Sequence, residues 1–171
     1  VEHSSRESSQ RRAAFDEPIS NRGRTCLPSA HGEAGGMRRS VQTVAFLVRD
    51  HDEAIAFFTG ALGFSLLEDT PLGGGKRWVR VAPPGGAGVE LLLARATGPE
   101  QLAAVGRQAG GRVFLFLETA DFDADHAALR SRGVRFLEEP RVESYGKVAV
   151  FADLYGNKWD LLEPRPARTG A

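Results

Sequence analysis

The chain repeats one unit of secondary structure, and that repeat limits its fold more than any other feature of the sequence. A run rich in apolar and β-branched residues, Val41–Val48, predicts a strand buried on both faces. Asp50 or Asp52 can then cap a helix whose apolar stripe is Ala54, Ile55, Phe57 and Phe58 and which ends near Gly60 and Gly63. Strands follow over Phe64–Glu68, Arg77–Ala82 and Val89–Ala94, with Gly73–Gly75 and the Pro/Gly turn from Pro83 to Gly88 as punctuation. After a connector with a short helix over Pro99–Val105, the order returns. Val113–Glu118 reads as a strand, Asp121–Arg132 as a helix, and Val134–Leu137, Lys147–Ala152 and Lys158–Leu162 as strands. Asp50 and Asp121 lie 71 residues apart, Gly63 and Gly133 lie 70 apart, and Glu90 and Asp160 lie 70 apart. The match is in pattern rather than identity. Two βαβββ units, each a four-stranded sheet with one covering helix, predict an α+β protein whose sheets curve around a shared cleft.

Composition removes several classes of function. Among 171 residues, 22 Lys+Arg balance 22 Asp+Glu, so no net charge draws the chain toward phosphate backbones or anionic membranes, and no basic patch suggests nucleic acid. No apolar run, Val44–Val48 and Val113–Leu117 among them, exceeds five residues, far short of the roughly 20 residues of a bilayer span. The single cysteine, Cys26, allows neither an internal disulfide nor a cysteine zinc site and fits a reducing cytoplasm. Residues 1–36 carry only Val1, Phe15, Ile19 and Leu27 as large apolar side chains and read as a flexible leader. The domain is expected over 37–164, with units at 41–94 and 112–163 joined by 95–111, and a loose tail over 165–171. Gly73–Gly75 is not a P-loop, since no Gly-Lys-Ser/Thr follows, and reads as a mobile lip. There is no Gly-x-Ser-x-Gly elbow.

The stretches VAFLVRDHDEAIAFFTGALGFSLLED, GKRWVRVAPPG, VELLLA and VAVFADLYGNKWDLLEP resemble the vicinal oxygen chelate superfamily, which holds glyoxalase I, bleomycin-resistance proteins and extradiol dioxygenases. The likeness covers about residues 41–163. It implies a glyoxalase-like fold, paired units forming a cup, and a homodimer that covers sheet edges. It also implies four cup positions, on the first and fourth strands of each unit, that often hold a divalent metal. Counting back from Asp50 and Asp121 puts the first-strand positions at Thr43 and Phe114, and the fourth-strand positions fall on Glu90 and Asp160. Strand alternation supports this placement and makes the rest of the cup apolar, from Ala45, Leu47, Leu92, Phe114, Phe116 and Leu162. Two carboxylates without imidazole suit a hard cation better than zinc, nickel or iron. Gln42 resembles a glyoxalase ligand but lies one residue out of register, on the opposite face unless a bulge intervenes.

Each candidate also has a plainer reading. Glu90 either acts in the cup as the catalytic carboxylate or forms an ion pair with Arg77 or Arg80. Asp160 either meets a ligand or accepts backbone hydrogen bonds from its own turn. Phe114 and Phe116 suit a core as well as a pocket, Trp78 could pack under a helix or floor a pocket, and Tyr145 stands at a loop rim or in a surface turn. His51 reads as first-turn surface, and His126 as lying on a helix face away from the cup. Two functions follow. One is a small-molecule-binding protein of the bleomycin-resistance type that needs no cofactor, with Thr43, Leu47, Trp78, Leu92, Phe114, Phe116, Tyr145 and Asp160 around the ligand. The other is a lyase, isomerase or dioxygenase in which Glu90 and Asp160 hold a divalent ion and one of them moves a proton.

Overall fold

The computed structural model describes residues 40–85 and 88–166. The expectations for the leader, Cys26 and the tail beyond Pro166 lie outside these residues, while Arg165 donates its N–H to the Tyr145 carbonyl at 2.9 Å. The first unit runs β1 (Thr43–Val48), α1 (His51–Ala56), β2 (Ser65–Gly73), β3 (Lys76–Ala82) and β4 (Glu90–Arg95). A short helix, α2 (Pro99–Ala104), leads into the second unit: β5 (Val113–Glu118), α3 (Phe122–Ser131), β6 (Arg135–Phe136), β7 (Arg141–Val142), β8 (Gly146–Ala152) and β9 (Lys158–Pro164). The strands form two sheets, ordered β1-β4-β3-β2 and β5-β9-β8-β6, with β7 also pairing β8. In each, the strand before the helix runs parallel to the last strand of its unit, and the other pairings are antiparallel. The mixed α+β architecture is the one the repeat predicts.

Local chemistry fixes the starts of α1 and α3. Asp50 is extended and accepts from the N–H groups of Asp52 and Glu53 at 2.9 and 3.1 Å, while Asp121 accepts from Ala124 at 3.1 Å. Helix α1 is brief because its ladder widens into one π-helical turn over Phe57–Ala61. That turn delivers Phe58 to the core, edge-on to Phe46 with centroids 5.3 Å apart. Trp159 of β9 reaches across from the second unit, its ring 6.1 Å from both Phe46 and Phe58 and 5.9 Å from Phe151. One continuous core therefore joins the two units.

Three details depart from the sequence reading. Gly73–Gly75 is not a separate lip: β2 runs on to Gly73, and the glycines, all at positive φ, turn the chain directly into β3. The strand expected at Val134–Leu137 shrinks to two residues, and an unanticipated β7 appears. Glu138-Glu139-Pro140 interrupts this edge, because proline has no N–H for the ladder, and the chain rejoins β8 only at Arg141. Finally, β5 bulges: Val113 pairs with Lys158 while Leu115 pairs with the next residue, Trp159, leaving Phe114 as the extra residue.

The connector between the units is seated closely. Gln108 accepts from the Leu47 N–H at 2.8 Å and donates to the Leu47 carbonyl at 3.4 Å, and its own N–H donates to Asn157 Oδ1 at 3.2 Å. Two residues earlier, Gly106 has φ +79°, and a Cβ there would lie 2.0 Å from the Tyr155 carbonyl oxygen. Gly106→Ala combines left-handed strain with a backbone clash, and is expected to cost at least about 2 kcal/mol in a urea melt, against about 1 kcal/mol for strain alone.

Candidate functional site

The registers of β5, β9 and β8 put Phe116, Asp160 and Val150 in one row across the second sheet, since Asp160 pairs with both of its neighbours. Their side chains leave the sheet on the face opposite Leu115, Trp159 and Phe151, which pack in the core. On that outer face lies an open hollow of about 630 Å³ walled by Val113, Phe116, Leu137, Tyr145, Val150 and Asp160 and bordered by Arg112, Glu138 and Lys158. Phe116 is 62% exposed and Tyr145 50% exposed, so both rings are available to a guest.

Asp160 is 5% exposed, and its Oδ1 is buried with no hydrogen-bond partner among the described residues. Burial pushes the carboxyl above its ordinary range, and the positive charge of Arg141 opposes that only in part. Arg141 is itself committed to other acids, through Nη1 to Glu138 and Nε to Glu143. Asp160 does not serve the hairpin turn either. Asp153 does that, accepting from the N–H groups of Tyr155, Gly156 and Asn157 at 2.8–3.0 Å through Oδ1, and from Asn157 Nδ2 and Trp159 Nε1 through Oδ2.

The first sheet is different. Thr43 pairs with Glu90, Arg80 with Leu92 and Trp78 with Thr70, all on the face turned away from core residues Val79, Val81, Leu91 and Leu93. Arg80 ties this face together, with Nη2 2.7 Å from Glu68 and Nη1 on Glu90. The hydrogen bond from Arg80 holds the Glu68 carboxyl below its ordinary range. Of the two arginines weighed for Glu90, Arg80 is the partner; Arg77 binds Asp69 and Asp52 instead.

Of the residues chosen from sequence, the hollow brings together Phe116, Tyr145 and Asp160. Thr43, Leu47, Trp78, Glu90 and Leu92 stand on the first sheet and do not border it. Phe114 turns inward, its ring 5.7 Å from Phe46, because the extra residue breaks the alternation that would otherwise put it on the same face as Phe116, which pairs with Asp160. Glu90 therefore does not border the hollow that Asp160 lines. Gln42 is exposed, its amide donating to Ser40. His51 is not surface: it is 4% exposed, and burial together with Arg77 and Arg95 keeps its imidazole below its ordinary range. His126 is wedged between Phe122 and Phe136, at 5.5 and 4.2 Å. Val150 escaped the sequence reading, although pairing the hairpin outward from its Asp153–Asn157 turn would have found it opposite Asp160. Leu137 had no such signal, because the broken edge strand before it hid its position.

Glu90 is committed to Arg80, the position opposite Asp160 is phenylalanine, and no group of three His, Cys, Asp or Glu among the described residues is placed to hold an ion.

Residues 40–161 match the model of the Glyoxalase/Bleomycin resistance protein/Dioxygenase superfamily. The chain belongs to that superfamily. An uncharacterised protein of Shewanella frigidimarina is 53% identical over 128 residues, covering 74% of this chain and 95% of the relative. Among solved structures, UcmS2 is 32% identical with a TM-score of 0.65, covering 74% of this chain and 99% of its own. TnmS3, an antibiotic binding protein from Streptomyces sp. CB03234, is 34% identical with a TM-score of 0.61, over 77% of this chain and all of its own. No described helix is long and apolar enough to cross a membrane.

An acid whose folded pKa is raised binds its proton more tightly in the folded state, so its destabilising effect grows as pH rises above the unfolded value and is full above the folded one. Asp160→Asn is therefore expected to stabilise the protein at pH 7 by about 1 kcal/mol, roughly 2–4 °C in melting temperature. The gain should shrink as the melts are repeated toward pH 4.

Proposed function

We propose that this superfamily member binds a small organic molecule in the hollow of the second sheet, without a divalent metal taking part. The observation that carries the reading is a buried carboxylate with an unpartnered oxygen, Asp160, set among the accessible rings of Phe116 and Tyr145. Such a site offers flat apolar contact and one polar group to orient the guest. The description of TnmS3 as an antibiotic binding protein supports a binding role for this chain as well. The acid pair required by a metal-dependent lyase, isomerase or dioxygenase finds no support in the donor set, and Glu90 is better read as the ion-pair partner of Arg80.

A thermal-shift screen of aromatic small molecules, followed by calorimetry, tests the reading. Ligands that raise the melting temperature should bind at least about tenfold more weakly to Phe116→Ala, the loss of about 1.4 kcal/mol expected when a stacking ring is removed. Addition of Mn²⁺, Ni²⁺ or Zn²⁺ should leave both melting and binding unchanged. A metal-induced rise in melting temperature that Asp160→Asn abolishes would favour the metalloenzyme.

The same reading makes the protein a homodimer. Strands β1 and β5 stand at the ends of their sheets, and one side of the hollow is open. Size-exclusion chromatography with light scattering should give twice the 18.4 kDa chain mass at micromolar concentration.

A further inference from the structure

We propose that the guest of this hollow carries a protonated amine on an aromatic or apolar body, with the ammonium group seated at Asp160. The inference rests on the small-molecule reading above and adds the chemical class of the ligand.

The argument starts from local charge. Three carboxylates, Glu138, Glu143 and Asp160, gather around one guanidinium, Arg141. Two of them take its hydrogen bonds. Asp160 receives only its through-space attraction and keeps Oδ1 buried and unbonded. An isolated buried carboxylate is costly unless a cation or hydrogen-bond donor completes it, and no described residue does so. The hollow is the open side from which a partner can approach this carboxyl, because Asp160 forms part of its wall.

The surroundings favour a cation over a neutral donor. Phe116 and Tyr145 hold exposed rings in the same hollow, and a ring face over an organic cation adds attraction that a hydroxyl group does not receive. Arg112 and Lys158 also border the hollow, but both are exposed, so water and salt screen their charge far more than that of Asp160. An anionic guest would meet the desolvated acid directly and should be rejected.

Calorimetry on the full chain at pH 7.5 with three matched probes tests this: 2-naphthylmethylamine, 2-naphthylmethanol and 2-naphthoate. The amine should bind at least about tenfold more tightly than the alcohol, and the carboxylate should bind most weakly. Asp160→Asn should remove the amine's advantage over the alcohol. The comparison in the unaltered protein stands even if that variant folds poorly. Equal affinity for amine and alcohol, or an amine preference that survives Asp160→Asn, overturns the proposal. If the probes bind alike and Phe116→Ala weakens all three, the small-molecule site stands and only its charge preference falls. Failure of all three at millimolar concentration overturns the proposal, and the reading beneath it also falls if the wider screen finds no ligand.

Discussion

The structure depends first on the carboxylate of Asp153. It gathers five hydrogen bonds from a single turn, three from backbone N–H groups and two from the side chains of Asn157 and Trp159. These bonds fix the hairpin between β8 and β9 and so its register. They also anchor the indole around which Phe46, Phe58, Phe64 and Phe151 assemble. Because neighbouring strand residues point to opposite faces, seating Trp159 in the core drives Asp160 out on the other side. The acid in the hollow is a geometric consequence of the indole beneath it.

The two units share an architecture but have diverged chemically. On the first sheet the fourth-strand acid, Glu90, is neutralised by an arginine one strand away that also holds Glu68. On the second sheet the equivalent acid faces Phe116 and Val150, and the nearby arginine is engaged elsewhere. One face is thus internally satisfied, while the other keeps an unmet electrostatic demand. A group that lowers stability in the empty protein yet lies in an aromatic hollow is what a binding role would preserve.

Much of the fold was legible because it rests on local rules. Asp50 and Asp121 cap their helices as their positions suggest, the β-α-β-β-β order recurs, and Glu90 finds one of its two weighed arginines. What could not be read was relative placement. A single inserted residue in β5 sends Phe114 to the core and Phe116 to the outer face, whereas plain strand alternation puts both on one face. His51 reads as polar surface from its place in a first turn, but the fold buries it, with the charges of Arg77 and Arg95 nearby. The 70-residue spacing of Glu90 and Asp160 shows that they occupy equivalent positions in two units. Equivalent positions need not share a cavity, and Glu90 does not border the hollow lined by Asp160.

The clasp of Gln108 on Leu47 sets a boundary on what can join the first sheet. The outward N–H and C=O of Leu47 are already taken by the amide of this side chain. A strand laid alongside β1 would find its ladder closed at that point and could bond only to the stretch before it. Edge recognition here is thereby confined to a short segment whose alignment the connector dictates from within the same chain.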